Sequence, residues 1–249
     1  MSIELFYFLL ILHLLADFHL QTEAMAEHKA ASFSGVLIHA RVLALVALFG
    51  AILLAAFGTP IMLSVLLMAV LFLFHFLLDT LKYYLGTVFS GARADASLFV
   101  LDQGLHIFLI WLFADVVLTQ MDLQHQILFD IPHGWLSWLL LALIVTKPAN
   151  VSFKKMFVRY QVQESLDDEN GRSFPEPGAG ALIGNLERLL SILFMGVGQY
   201  AAIGLVFTAK SIARFRQIEQ NKRFAEYYLI GTLYSMLYAV GAYALIFFS

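Results

Sequence analysis

Long apolar runs separated by short polar stretches set the character of this chain. A bilayer core takes about 20 apolar residues per helix, with a range of roughly 17–25. Runs of that kind occupy residues 3–20, 36–57, 61–85, 98–119, 135–146 (a short one) and 227–248. The stretch 181–208 is long for one span, and Gly196-Val197-Gly198 inside it supplies a turn. It reads as two short helices, 181–195 and 199–208, joined as a hairpin. The pattern predicts an all-α, polytopic transmembrane helical bundle of about eight spans. The first run has the length of a secretory signal, but Glu4 stands where a lysine or arginine is needed and the run contains His13 and Asp17. The first helix is therefore expected to be retained as a span.

Composition strengthens the membrane reading: 61% of the 249 residues are hydrophobic and only 13% are charged, more apolar surface than a soluble domain can bury. The placement of charge orients the spans. The loop 147–180 carries Lys154, Lys155, Arg159 and Arg172, and the loop 210–225 carries Arg214, Arg216, Lys222 and Arg223. The positive-inside rule puts both loops in the cytoplasm, which requires an even number of crossings between them and so favours the hairpin. Both termini are then periplasmic, and all 15 lysines and arginines lie at or near the cytoplasmic face. The chain divides into a five-span domain (1–147), a polar cytoplasmic linker (148–180) and a C-terminal membrane domain (181–249). The linker holds Glu164, Asp167, Asp168 and Glu169, then Pro175 and Pro177, as expected of solvated, turn-rich chain. Ile212, Phe215 and Ile218 recur among Arg214, Arg216, Lys222 and Arg223, predicting a basic amphipathic helix on the anionic leaflet. Gly180 and Gly184 form a small-xxx-small pair suited to close helix packing.

Within the apolar runs stand three histidine–aspartate pairs spaced i,i+4: His13 with Asp17, His75 with Asp79, and Asp102 with His106. That spacing stacks both side chains on one helix face. An ionisable residue at the centre of a span costs roughly 2.5–3.5 kcal/mol on insertion scales, so six of them need partners or a purpose. Lys82, Gln21, Gln103, Glu187, Arg188 and Lys210 fall in the same cytoplasmic half of the bilayer, so the polar residues form one layer. His39, alone at a helix start, reads as interfacial. The loop 120–133, with Asp122, His125, Asp130 and His133, is expected to face solvent.

The absence of cysteine excludes disulfides, thiolate metal sites and cysteine nucleophiles. No basic region with interleaved aromatics stands clear of the spans, so nucleic-acid binding is not indicated. The partner that composition does imply is the lipid bilayer.

The segments HLLADFHLQ (residues 13–21), HFLLDTLKYY (residues 75–84) and LDQGLH (residues 101–106) resemble a bacterial membrane family of unknown function, DUF3307. The rear segments IGNLERLL (183–190), GQYAAIG (198–204), KSIARF (210–215) and EYYLIGT (226–232) look like a C-terminal membrane extension of such proteins. The front half is also similar in style to inner-membrane proteins described as metal-dependent hydrolases, which share intramembrane histidine and aspartate pairs. That resemblance implies a hydrolytic metal site.

The residues independently support such chemistry. Imidazole and carboxylate donors suit Zn²⁺, Mn²⁺ or Fe²⁺, so His13, Asp17, His75, Asp79, Asp102 and His106 are candidate metal ligands for one ion or two. A metal with an open position activates water near neutral pH. Glu187 is then the candidate general base, with Arg188 and Lys82 stabilising an oxyanion or gripping a phosphate of a lipid-like or phosphorylated substrate. Three alternatives stand beside this. A histidine and an aspartate one turn apart can simply hydrogen-bond each other. The layer can serve a transporter as a proton or cation relay, with the break at Gly196–Gly198 as a discontinuous helix. Or the chain is a scaffold or regulator whose linker and basic helix recruit a cytoplasmic partner.

Overall fold

A computed structural model describes residues 3–119, 133–160 and 178–248, and no β-strand occurs among them. The loop 120–132 and the acidic linker residues 161–177, both expected to be solvated, lie outside the described residues. The chain forms two compact units, Met1–Leu140 and Leu141–Ser249.

The first unit begins with α1 (Ile3–Leu14), which runs into a π-turn (Leu15–His19). It continues through α2 (Glu23–Ala31), α3 (Phe33–Ala56), α4 (Ile61–Val88) and α5 (Ala92–Thr119). α1 is apolar all round and is buried from Tyr7 to Leu14, as a helix without a polar face must be. α3 and α4 instead expose Leu45, Met62, Leu66 and Leu77 while burying His39, Ser64, His75 and Asp79. Apolar residues outward and polar residues inward is the arrangement that lipid solvent selects.

α2 is the exception. It is polar, and it leaves the preceding helical segment at 88°. One side-chain cap starts it and a second starts the helix that follows. Thr22 Oγ1 accepts from the Met25 amide at 3.2 Å, and Ser32 Oγ accepts from the Gly35 amide at 3.1 Å to start α3. Gly35 also permits the tight return, because a Cβ there would lie 2.1 Å from the His28 carbonyl oxygen.

The helix α6 (His133–Ile144) crosses the boundary between the units. The second unit continues with α7 (Lys147–Met156), α8 (Ala179–Gly196), α9 (Tyr200–Ala213), α10 (Phe215–Gln220) and α11 (Lys222–Phe247). α7 occupies the start of the stretch read from sequence as linker. Pro148 sits in its first turn, where a missing amide proton is harmless, and Ala149 and Ser152 are buried. Ser152 Oγ meets the Tyr234 hydroxyl at 2.6 Å. α8 and α9 break at the expected triplet, with Gly198 at φ +71°. Around Arg214 the basic segment is helical on both sides, with Ile212 70% and Phe215 60% exposed.

Among the described residues, six helices are long and apolar enough to cross a membrane: Phe33–Ala56, Ile61–Val88, Ala92–Val117, Gly134–Met156, Ala179–Gly196 and Lys222–Phe247. The bent pair Ile3–His19 and Glu23–Ala31 makes seven if it counts as one span. The sequence reading of about eight took 3–20 and 199–208 as spans of their own. The second of these lies in α9, whose 14 residues fall short of spanning length.

Candidate metal centre

The three pairs meet in the first unit. His13 ends α1, Asp17 lies in the π-turn, His75 and Asp79 lie on α4, and Asp102 and His106 lie on α5. All six are buried. A π-turn, in which the backbone bonds span one residue more than in an α-helix, is frequent at functional sites. Here it is marked by the Leu20 amide donating to the Leu15 carbonyl at 2.8 Å.

The hydrogen bonds run between helices more than along them. His75 Nε2 donates to Asp17 Oδ1 at 2.8 Å and stands 3.6 Å from Asp79 Oδ2 on its own helix. His39 Nε2, from α3, donates to the same Asp17 oxygen at 3.1 Å and lies 3.5 Å from Asp79 Oδ2. His39 is thus fully buried at the centre, whereas its position at a helix start pointed to the interface. His106 Nδ1 donates to the Asp102 backbone carbonyl at 2.8 Å. Gln103 Nε2 donates to Asp102 Oδ2 at 3.0 Å and to Asp17 Oδ2 at 3.4 Å, which leaves its Oε1 to accept from His13 Nε2 at 3.2 Å. The imidazoles of His13, His75 and His106 pack together, with ring centroids 4.3–5.2 Å apart.

Two lysines complete the charge pattern. Lys82 Nζ donates to Asp102 Oδ2 at 2.7 Å, so this candidate catalytic residue lies at the cluster. Lys29 Nζ, from α2, approaches Asp79 Oδ1 to 2.6 Å and is itself buried. Lys29 escaped the sequence reading because it sits in a polar segment, between His28 and Ala30, where a lysine reads as surface.

The donor atoms gather closely enough for ions. One atom each from His13, Asp17, His75 and His106 lie within 4.8 Å of one another, as do atoms from Asp17, His39, His75 and Asp79, and from Asp79, Asp102 and His106. A tetrahedral ion with ligands at about 2.0–2.2 Å sets those ligands roughly 3.3–3.6 Å apart. The tautomers suit metal binding as well. With His106 Nδ1, His13 Nε2 and His39 Nε2 acting as donors, the opposite nitrogens carry lone pairs. Among the described residues, those atoms (His106 Nε2, His13 Nδ1 and His39 Nδ1) are buried without a hydrogen-bond partner. Buried polar atoms are seldom left so.

Glu187 and Arg188 belong to the second unit, where each has its own partners. Glu187 Oε2 accepts from Lys210 Nζ at 2.6 Å. Arg188 donates from Nε to the Val145 carbonyl, from Nη1 to Ser235 Oγ at 3.0 Å, and from Nη2 to Asn150 and Asn185 Oδ1 at 2.6 and 2.9 Å. Val145 follows the C-terminus of α6, where the helix dipole favours a cation. Gly184 makes room for the guanidinium, since a Cβ there would lie 3.1 Å from Nη1, while Gly180 has no neighbour within 4 Å of a Cβ.

Residues 5–133 match a family model described as "Protein of unknown function (DUF3307)". No curated protein and no solved structure matches the chain. The matched segment contains every member of the cluster from His13 to His106, Lys29 included, and neither Glu187 nor Arg188.

Proposed function

The chain belongs to the DUF3307 family of proteins of unknown function, and from that premise we propose that it is a membrane-embedded divalent-metal protein, a metal-dependent hydrolase of the bacterial inner membrane. The observation that carries this is the convergence of four histidines and three aspartates in one buried cluster, with three imidazole lone pairs lacking a partner among the described residues. Nitrogen and carboxylate donors suit Zn²⁺, Mn²⁺ or Fe²⁺. Such an ion supplies a Lewis acid and a water acidic enough to lose a proton near neutral pH.

The charge count supports the same reading. Asp17, Asp79 and Asp102 outnumber Lys29 and Lys82 by one in this buried cluster. Uncompensated charge there is costly. A divalent ion with one anionic ligand brings the sum to zero. Gln103 and the carboxylates orient the imidazoles, as outer partners do at metal sites. Lys82 and Lys29 are placed to stabilise an oxyanion or a phosphate. Glu187 and Arg188 serve the second unit as paired and hydrogen-bonded groups, and the proposal draws its base from the carboxylates of the cluster.

A relay of protons or cations is the second reading, favoured by the 88° bend between the α1 segment and α2, which resembles the broken helices of transporters. The test is hydrolysis of chromogenic esters and phosphodiesters by purified full-length protein with Zn²⁺, Mn²⁺ or Fe²⁺. Hydrolysis that chelator and Asp17→Asn both abolish supports the enzyme. Metal binding without hydrolysis, together with metal-dependent proton or cation flux in vesicles, replaces it with the relay.

A further inference from the structure

The cluster has two unlike sides. Asp17, Asp79, Asp102, Lys29 and Lys82 make one of them. On the other, His13, His75 and His106 border a cavity of about 50 Å³ whose remaining wall is entirely apolar, and none of those carboxylates or lysines reaches it. The three histidines are members of the first ligand set, which only Asp17 completes from the polar side. An ion held there therefore has the apolar cavity against its imidazole ligands. The wall includes Ala47, Met68 and Phe74, and Phe74 is 40% exposed on a helix of spanning length. By this measure a cavity needs about 10–15 Å³ to hold one water, so the space holds roughly three to five groups of that size.

We propose that this cavity is the subsite for the first methylene groups of an acyl chain. The substrate class is then a fatty-acyl ester or amide drawn laterally from the bilayer. Its carbonyl lies at the ion, its chain passes Phe74 into lipid, and its polar remainder lies on the side of Lys29 and Lys82. This rests on the hydrolytic metal-site reading. Hydrolysis adds the oxygen of water to the carbonyl carbon and breaks the acyl C–O or C–N bond. One proton of water goes to the leaving alcohol or amine and the other to the carboxylic acid.

The probes are acetohydroxamate and butyrohydroxamate, metal chelators that differ by two methylene groups. They are titrated against metal-loaded, full-length protein in nanodiscs, with the Co²⁺-substituted form giving a spectroscopic readout. Two buried methylenes favour butyrohydroxamate by about tenfold in Kd. Ala47→Phe fills the cavity, so it reduces that preference to near unity with metal content unchanged. Equal affinities in wild-type protein overturn the subsite while leaving the metal centre standing, and this comparison holds even if the variant does not fold. A preference that survives in folded Ala47→Phe overturns it too. Wild-type protein that takes up no metal overturns the centre, and the subsite with it.

Discussion

Asp17 accepts from two histidines through one oxygen, and Gln103 is fixed by two carboxylates, so the orientation of the cluster follows from a few bonds. The spacing of the three pairs was legible in the sequence because i,i+4 positions share a helix face. The partners were not, since the pairs exchange bonds across helices: His75 is closer to Asp17 than to Asp79. Lys29 left no trace in any hydrophobic pattern, yet its ammonium stands where it neutralises Asp79. Lys29→Met leaves that carboxylate buried without its cation, a change that costs about 3–5 kcal/mol when one partner of a buried pair is removed. We expect a large fall in Tm in chelator and a partial recovery on adding metal, because an ion bound only to the folded state restores stability. Equal melting of variant and wild type in chelator contradicts the role given to Lys29.

At the scale of elements, the apolar runs announced their helices by length, and the break at Gly196–Gly198 was visible as a glycine pair. The bend after α1 was not, because Leu20, Gln21 and Thr22 contain neither glycine nor proline; the π-turn and the Thr22 cap produce it. The return from α2 to α3 depends on Gly35. Gly35→Ala drives a Cβ against backbone, which cannot yield as a side chain can, so a loss of at least about 1–3 kcal/mol is expected in thermal or denaturant unfolding. In the second unit the sequence showed Glu187 and Arg188 but not the neutral acceptors that Asn150, Asn185, Ser235 and the end of α6 provide. Those acceptors match a planar fork. Arg188→Lys should therefore destabilise nearly as much as Arg188→Met, by about 2–4 kcal/mol, and a lysine variant with wild-type Tm contradicts that account.

For the whole molecule, hydrophobic length identified a helical membrane protein, and the family segment 5–133 encloses the entire candidate centre. The number of crossings was harder to read, because α1 runs into an 88° bend and α9 has only 14 residues. The orientation we propose comes from the lysines and arginines alone. It predicts that single cysteines at positions 171 and 220 label from one face of the membrane and a cysteine at 198 from the other, with no background because the chain has no cysteine. Labelling of 171 and 220 from opposite faces contradicts that orientation.

The central claim is that the buried histidine–aspartate cluster holds a metal, and elemental analysis of full-length protein purified without chelator tests it most directly. Wild-type protein should carry about one or two equivalents of Zn, Mn or Fe per chain, the number that one or two sets of three or four ligands support. His75→Ala with Asp79→Ala should carry almost none. Asp79→Asn keeps the shape of the side chain and can still accept a hydrogen bond, but it is a poor ligand. It should lose metal, and Tm with it, if the carboxylate binds an ion. Wild-type protein that retains no metal and melts identically with and without chelator, while Asp79→Asn melts at or above it, contradicts the account and leaves a purely hydrogen-bonded core.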